Sequence, residues 1–367
     1  MRRRDQRAVG AKRVVYLWGA GATQAEIDYL SACSINLLMR DTDQLEGIAT
    51  RILKRLPKKW QASLLVDQGM DIEKLISLLA ASNVAEHSKL ADAIRKLYFE
   101  EICQSLAAAK VLTNPQLAVG LLTMHGNEHF RKHETLSGII TTNHDGLLQV
   151  AAQKVHTEVN IGIPFRSQDL TPSTTATAPV LHLHGSFTWR FGLPVKVTFL
   201  SETSAYAGDT VWIPPTILKE SRAYPFNKLA GLAYELLSNQ CDVLRVVGSA
   251  LTQNDWNVLS MIFNAQRHRE ITEGAPFRVE LIMPHGVGMA IAKECSYLEN
   301  LTPIGFLTEG DDLAAYKEAD GGAPLTSEMN NPLAFWIKQK IQFHKNRGDL
   351  GDRPLEGPLA QIAGENP

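Results

Sequence analysis

The sequence predicts an α/β fold: a Rossmann-like parallel sheet with helices on both faces and a helical insertion. Five short apolar runs have the composition of strands that are covered on both faces, as in parallel sheets. Four of these runs end in small or polar residues. The segment 44–132 instead shows apolar residues at helical spacing. The five runs are VVYLW (14–18), LSGII (136–140), VLHLH (180–184), VLRVV (243–247) and VELIM (279–283).

Composition is that of an ordinary globular protein. The 367 residues carry a formal net charge of -2, so bulk electrostatics gives no reason to expect direct nucleic-acid binding. No apolar run approaches the roughly 18 residues that span a bilayer, and the N-terminus lacks the apolar stretch of a secretion signal. The four cysteines form no CxxC pair, which indicates reduced thiols rather than disulfides or a zinc ribbon. We therefore expect a cytoplasmic protein without a membrane segment or a metal-ligand set.

The chain divides into three parts. Residues 1–13 are strongly basic and predict a flexible tail, with contact to a partner or nucleic acid as the alternative. Residues 14–310 form the predicted α/β domain, which contains the helical insertion at 44–132. Residues 311–367 hold a further helix that starts at Pro332 and carries an apolar stripe. Their Gly- and Pro-rich end is expected to be a poorly ordered tail.

The carboxyl ends of parallel strands meet at one edge of the sheet, where ligands bind at the topological switch point. The motifs GAGAT, TTNHD, HGSF and GSALTQND therefore predict one shared crevice. In GAGAT, glycines let the backbone turn sharply and approach a phosphate; the alternative is a strand-to-helix turn without a ligand. The third glycine of the dinucleotide fingerprint is missing, which disfavours a dehydrogenase-type domain.

The other three motifs hold the candidate side chains. Asn143 and Asp145 follow the second run, where the alternative role for Asp145 is to cap the next helix. We expect His182 and His184 to share one face of the third strand, with His184 beside the crevice and His182 in the core. Ser249 is placed either to bind a ribose or phosphate or to cap a turn.

In this order, GAGAT, TTNHD, LHGSF and GSALTQNDW resemble the motifs of the sirtuin family, and closely those of its divergent prokaryotic sirtuin-like branch. The segments DIEKLISLL (71–79) and WIPPTILK (212–219) are similar to the same branch. The resemblance spans roughly residues 14–300. It implies an NAD-binding catalytic domain.

By position, the resemblance implies roles for nine residues of the crevice. Asn143 and His184 match the catalytic pair: the asparagine positions water and the nicotinamide ribose, and the histidine precedes a glycine. Asp145 matches the aspartate that faces the nicotinamide end of NAD. The remaining residues match the loop around the NAD phosphates and the contact with the adenosine ribose; they are Gly19, Ala20, Gly21, Thr23, Gly248 and Ser249.

Two departures separate this chain from the deacylating sirtuins. It lacks their four-cysteine zinc ribbon, which removes part of the acyl-peptide groove, and SACSINLLMR stands where they carry Pro-x-Phe-Arg. Both departures resemble prokaryotic sirtuin-like proteins that consume NAD in antiphage defence. The resemblance therefore implies an NAD glycohydrolase with NAD as its substrate and no metal. The alternatives are an NAD-dependent protein deacylase and a non-catalytic NAD- or ADP-ribose-binding subunit.

The implied reaction needs few groups. Nicotinamide leaves NAD as a neutral pyridine, so the enzyme has to stabilise an oxocarbenium-like ribose and admit water. Asn143 can orient that water, and neutral His184 can accept a proton. An ungated NADase would deplete its own cell, and the chain contains no P-loop motif. The resemblance implies a homo-oligomer, with a HerA-type hexameric ATPase as the candidate partner that controls turnover.

Overall fold

The computed structural model describes residues 10–33, 58, 72–156, 158–173, 177–198, 209–214, 216, 219, 222–283, 285–303, 331–350, 355 and 357–364. The strands are β1 (Lys12–Trp18), β2 (Glu134–Thr141), β3 (Phe165–Ser167), β4 (Val180–His182), β5 (Gly185–Arg190), β6 (Val195–Val197), β7 (Thr210–Trp212), β8 (Val243–Val247), β9 (Arg278–Ile282) and β10 (Leu301–Pro303). The helices are α1 (Ala20–Cys33), α2 (Ile72–Ala80), α3 (Ala85–Ala108), α4 (Leu117–Gly126), α5 (Glu128–Arg131), α6 (Leu147–Val155), α7 (Phe226–Gln240), α8 (Trp256–Glu273), α9 (His285–Glu294), α10 (Pro332–Asn346) and α11 (Gly357–Ala363).

The main sheet confirms the predicted α/β class. Within the described residues it has six parallel strands in the order β10-β9-β8-β1-β2-β4. Numbered along the chain, this is the 3-2-1-4-5-6 order of a doubly wound Rossmann sheet. The strand order reverses between β1 and β8, whose carboxyl ends pair Trp18 with Val247. The switch point, and therefore the expected ligand crevice, lies at this pair.

All five predicted strands are present, but the strand in the third run is shorter than predicted. Its strand ends at His182; Leu183 and His184 form a turn, and the next strand begins at Gly185 in a second sheet. The prediction that the two histidines share a strand face is therefore wrong. Gly185 has a left-handed φ of +72°, and a Cβ there would lie 2.3 Å from a backbone oxygen of β7. The turn consequently requires glycine at this position.

The second sheet is small, and it packs against the helical insertion next to the turn at Leu183 and His184. Its order is β3-β6-β5-β7, with β5 antiparallel to both of its neighbours. Phe187 of β5 and Trp212 of β7 pack against Phe99 of α3, and the Phe99 and Phe187 ring centroids are 4.5 Å apart. This aromatic cluster connects the insertion to the segment that carries His184.

The predicted insertion is helical over its described part, which contains α2 to α5. Glu26 of α1 joins this block to the domain, because its buried carboxylate accepts hydrogen bonds from the first amides of α4. The amide nitrogens of Leu117 and Ala118 lie 3.0 and 2.9 Å from its oxygens, and the Gln116 amide is a third donor. A carboxylate at a helix N-terminus satisfies free amides and interacts favourably with the helix dipole.

The C-terminal helix begins at Pro332 as predicted, and Asn331 caps it by accepting a hydrogen bond from the Ala334 amide. Its predicted apolar stripe is buried: Leu333, Trp336, Ile337 and Ile341. The chain end differs from the predicted tail, since Gly357–Ala363 is helical. Ile362 is buried there, and its side chain occupies the space beside Gly120 of α4.

Several sequence predictions fall outside the described residues. They concern most of the basic tail (1–9), the first part of the insertion (44–57 and 59–71), residues 34–40 of SACSINLLMR and the stretch 304–330. Cys103, Cys241 and Cys295 are free thiols. In the described part of the chain, no helix combines the length and apolar character that crossing a bilayer requires.

Candidate active site

A cleft of about 380 Å³ opens where β1, β2 and β8 end. Its volume is typical of small-molecule sites, which span about 300–1,000 Å³. The structure brings every predicted site residue to its wall: Gly19, Ala20, Gly21, Thr23, Asn143, Asp145, His184, Gly248 and Ser249. These residues come from four separate stretches of the chain. The predicted shared crevice is therefore present as a structural feature.

Two glycine-containing segments form one side of the cleft and touch each other through their backbones. We call them the glycine loops: residues 19–21, where β1 passes into α1, and residues 248–249, which follow β8. The Gly21 amide donates to the Gly248 carbonyl at 2.8 Å. A Cβ at Gly19 would lie 2.6 Å from the Ser249 Cα. Gly248 has φ +60°, and a Cβ there would lie 2.1 Å from the amide nitrogen of Ala22. The contact between the loops is thus a sufficient reason for glycine at these positions, independent of any approach to a phosphate.

Behind the loops, Asn143 stands at the centre of a buried hydrogen-bond chain. Its Nδ2 donates to the Gly19 carbonyl at 3.0 Å and to the Thr23 hydroxyl at 2.9 Å. The Thr23 hydroxyl in turn donates to Asp145 Oδ2 at 2.9 Å. Both Nδ2 hydrogens of Asn143 are thereby used inside the protein. A ligand that bonds to this side chain meets its acceptor oxygen, Oδ1.

Asp145 lies between the cleft and the start of α6, whose cap residue is Gly146. It lines the cleft, and its Oδ1 accepts a hydrogen bond from the Leu147 amide at the start of α6, at 3.1 Å. Burial raises the pKa of its carboxyl above the ordinary value, while the hydrogen bonds from Thr23 and Leu147 oppose the rise. All of these donors are neutral groups.

His182 is a core residue, as predicted, and it also supports Asn143. The ring is fully buried, and its Nδ1 lies 3.1 Å from the Asn143 carbonyl oxygen, which accepts its proton. Burial lowers the pKa of His182 to about 4, so the ring is neutral at physiological pH. The sequence did not show this contact. His182 bonds to the backbone of Asn143 and does not line the cleft.

His184 lies in the turn and lines the cleft. Burial, and secondarily the charge of Lys219, lower its pKa to about 3, while a hydrogen bond to the Thr142 backbone opposes this shift. Its ring centroid is 6.1 Å from that of His144. Burial likewise lowers the pKa of His144 to about 3, and its Nε2 bonds to the Ile213 carbonyl at 2.9 Å. Both imidazoles are therefore neutral at physiological pH.

The sequence reasoning missed a charged trio at the rim of the cleft. The Lys219 Nζ atom lies 2.5 Å from Asp255 Oδ1 and 3.5 Å from Glu73 Oε1. All three residues line the cleft. Glu73 and Lys219 lie in the two segments, 71–79 and 212–219, that resemble the sirtuin-like branch. The signal was therefore present, but no spacing rule joins residues so far apart in the sequence.

The helical insertion forms the wall opposite the glycine loops. Tyr98, Ile102 and Leu106 of α3 line the cleft there. The Tyr98 ring lies parallel to that of Trp212, with centroids 6.2 Å apart, and meets His144 edge-on at 6.3 Å. The insertion is thus part of the site and not only an attachment to the domain.

The arrangement combines neutral imidazoles, an oriented amide, a buried carboxyl without a cationic donor, and a helix N-terminus at which anions are stabilised. This set can hold a partly charged ligand and transfer a proton to or from it. Comparison with known protein families finds no matching family model, and the search of curated proteins finds no match. The function is therefore inferred from the site itself.

Proposed function

We propose that this chain is a cytoplasmic, sirtuin-like NAD+ hydrolase that cleaves NAD to nicotinamide and ADP-ribose. The observation that carries the proposal is the convergence on one cleft of all nine residues to which the sirtuin resemblance gives a role. The cleft lies at the switch point of a sheet with the 3-2-1-4-5-6 order, where such sheets bind dinucleotides. Distant parts of the chain supply the residues, so proximity in the sequence does not explain their meeting.

The charge of Asp145 suits the nicotinamide end of NAD. Its carboxyl is buried and bonded only to neutral donors, which leaves its negative charge uncompensated when it ionises. A nicotinamide ring is positively charged until its bond to ribose breaks, so the bound substrate would favour the ionised carboxylate. Cleavage removes that positive charge. The same group would therefore hold the substrate more strongly than the released nicotinamide.

Asn143 and His184 supply the hydrolytic step. With both Nδ2 hydrogens engaged, Asn143 presents Oδ1 as the acceptor for a water molecule beside the ribose. Neutral His184 accepts a proton from this water or from a ribose hydroxyl. An oxocarbenium-like ribose is a strong electrophile, so a weakly basic imidazole suffices. The phosphates would lie at the N-terminus of α1, where the helix dipole stabilises anions.

The test is a product analysis with purified full-length protein. NAD is incubated with and without an acyl-lysine peptide, and nicotinamide and ADP-ribose are quantified. Equal amounts of the two products without peptide are expected. Nicotinamide release that requires the peptide would identify a deacylase instead. Saturable NAD binding without any release would identify a binding subunit.

We also infer that turnover is gated by assembly and that the role is NAD depletion in antiphage defence. Subunit contacts that favour the competent form of the cleft would raise activity by shifting a population, without a new catalytic group. A homo-oligomer, with a HerA-type ring ATPase as partner, is the assembly expected from the resemblance. Turnover is measured together with mass in solution. Full activity from an isolated monomer, unchanged by such an ATPase, would contradict the gating.

A further inference from the structure

Three potential metal ligands meet at the amino end of β2. The cleft lies at the other end of this strand, beyond its carboxyl end. His133 immediately precedes β2, His344 lies in the last turn of α10, and Asp349 follows that helix. The Asp349 Oδ2 atom is 3.0 Å from His344 Nδ1 and 3.2 Å from His133 Nε2. The ligand atoms of all three residues lie within 4.8 Å of one another.

One oxygen of Asp349 lies at the centre of the cluster. Both ring nitrogens approach the same oxygen of Asp349, and the Arg347 Nε atom lies 3.5 Å from that oxygen as well. Of these three contacts, the one from His344 Nδ1 is a hydrogen bond, and the other two are longer approaches to the same oxygen. A cation bound between the two rings and the carboxylate would replace both ring protons. It would use the nitrogen lone pairs that the protons otherwise occupy.

The surroundings hold the buried ring in one orientation. Phe130 and Phe343 pack edge-on against His344, with ring centroids 4.6 and 5.2 Å away. His344 is 3% exposed. His133 is one-third exposed, which leaves a path from solvent to the cluster.

We propose that His133, His344 and Asp349 bind a divalent transition-metal ion, for which zinc is the best match, and that the ion fastens α10 to the start of β2. Two imidazole nitrogens and a carboxylate oxygen form a ligand set that suits zinc, with water in the fourth position. Atoms bound to one tetrahedral zinc at about 2.0–2.2 Å lie a little over 3 Å apart. The two nitrogen–oxygen distances here match that separation. The sequence-based prediction of no metal relied on the absence of closely spaced ligands. Here His133 is far from His344 and Asp349 along the chain, so that spacing rule could not detect the cluster.

The experiment uses full-length protein without a polyhistidine tag. The protein is stripped with a chelator, dialysed against zinc and then against zinc-free buffer, and analysed for zinc per chain. Retention of one zinc per chain and a higher Tm than that of the stripped protein are expected. Cobalt(II) in place of zinc should give the visible absorption of a tetrahedral site. His133→Ala and Asp349→Asn should each abolish retention and the rise in Tm.

The matched control is His129→Ala. His129 lies on α5, four residues before His133, and its Nε2 is 3.4 Å from a Glu128 oxygen, outside the trio. This variant should retain zinc as the wild type does. Because His133 is partly exposed, its replacement should leave the fold intact, which circular dichroism checks. Failure of the wild type to retain zinc would overturn the proposal, and so would equal retention by the His133→Ala and Asp349→Asn variants. Neither readout depends on NAD cleavage.

Discussion

The cleft and the buried charge cluster beneath α10 both hold carboxylates out of water, but they satisfy them differently. The charge cluster consists of Arg245, Glu134, Glu280 and Lys340. Arg245 makes two hydrogen bonds to Glu134, at 2.6 and 2.7 Å, and one to Glu280 at 2.8 Å. Lys340 lies 3.1 Å from Glu134. Arg278, which is partly exposed, also pairs with Glu280, so each of the two anions has cationic partners within the protein.

The pKa values of the carboxyls follow from this difference. Burial raises the pKa of Glu134, but the charges of Arg245 and Lys340 outweigh it and hold the pKa well below its ordinary value. In the cleft, burial prevails and the pKa of Asp145 is raised. The chain therefore compensates its own charge where the role is structural. It leaves Asp145 in the wall of the cleft without a cationic partner.

The largest expected effect tests the cleft. His184→Ala should lower NAD turnover by about 10²–10⁴-fold, which is the usual loss when a general base is removed. Asn143→Ala should be comparably inactive. His182→Ala should retain most turnover, because its ring bonds to the Asn143 backbone, packs against Trp189 and does not line the cleft. An inactive but folded His182→Ala protein beside an active His184→Ala protein would assign the chemistry to the other histidine.

The next effect tests the charge cluster. Arg245→Met should lower the free energy of unfolding by about 3 kcal/mol, the low end of the cost of breaking a buried ion pair, because Glu134 then retains only Lys340 and Glu280 only Arg278. Urea denaturation measures this loss. Turnover per folded molecule should be unchanged. Changing Glu134 and Glu280 to Gln in the same protein should recover much of the stability. A stable Arg245→Met protein with impaired turnover would break the distinction between the two regions.

A smaller effect should separate backbone strain from loop contact. Gly248→Ala and Gly274→Ala both place alanine at a left-handed φ, which costs roughly 1–2 kcal/mol. Only the Gly248 change pushes a Cβ into another loop, while the Gly274 position has open space. Gly248→Ala should therefore lose more stability than Gly274→Ala and should also weaken NAD binding. Equal losses in the two variants would show that the loop contact contributes nothing.

The last effect is a change in how stability depends on pH. Burial lowers the pKa of His125 from 6.5 to about 3, so below pH 6.5 the unfolded chain binds a proton that the folded chain does not. Wild-type stability consequently falls as the pH falls through this window. In His125→Gln the fall between about pH 6 and 4 should be shallower by about 1.4 kcal/mol per pH unit. Parallel stability curves would show that His125 is protonated in the folded protein.

The sequence was most informative where one local property decides the structure. Runs covered on both faces are apolar throughout, so every strand that they predict exists. The run VLHLH misled because its apolar residues continue past the strand end, and only Gly185 indicates a turn. The sequence analysis did not predict the last helix, α11, although Pro358 lies in its first turn, a favoured position for proline.

The same distinction between local and long-range features applies to the candidate site. Motifs at strand ends could be predicted, because parallel strands bring their carboxyl ends together. The trio of Glu73, Lys219 and Asp255 could not be predicted. Ion pairs between a helix of the insertion and two distant segments leave no periodic pattern in the sequence. The pair of His344 and Asp349 is local, but the third member, His133, depends on where α10 packs.

The contact between the two glycine loops limits how this protein can change by mutation. A clash between side chains can be relieved by trimming the neighbour, but here the atoms that meet each added Cβ belong largely to backbone. No second substitution removes backbone atoms, so Gly19, Gly21 and Gly248 cannot compensate for one another. A mutational scan selected for folding alone should return glycine at all three. Invariance at these positions would then record geometry and would not by itself be a signature of NAD binding.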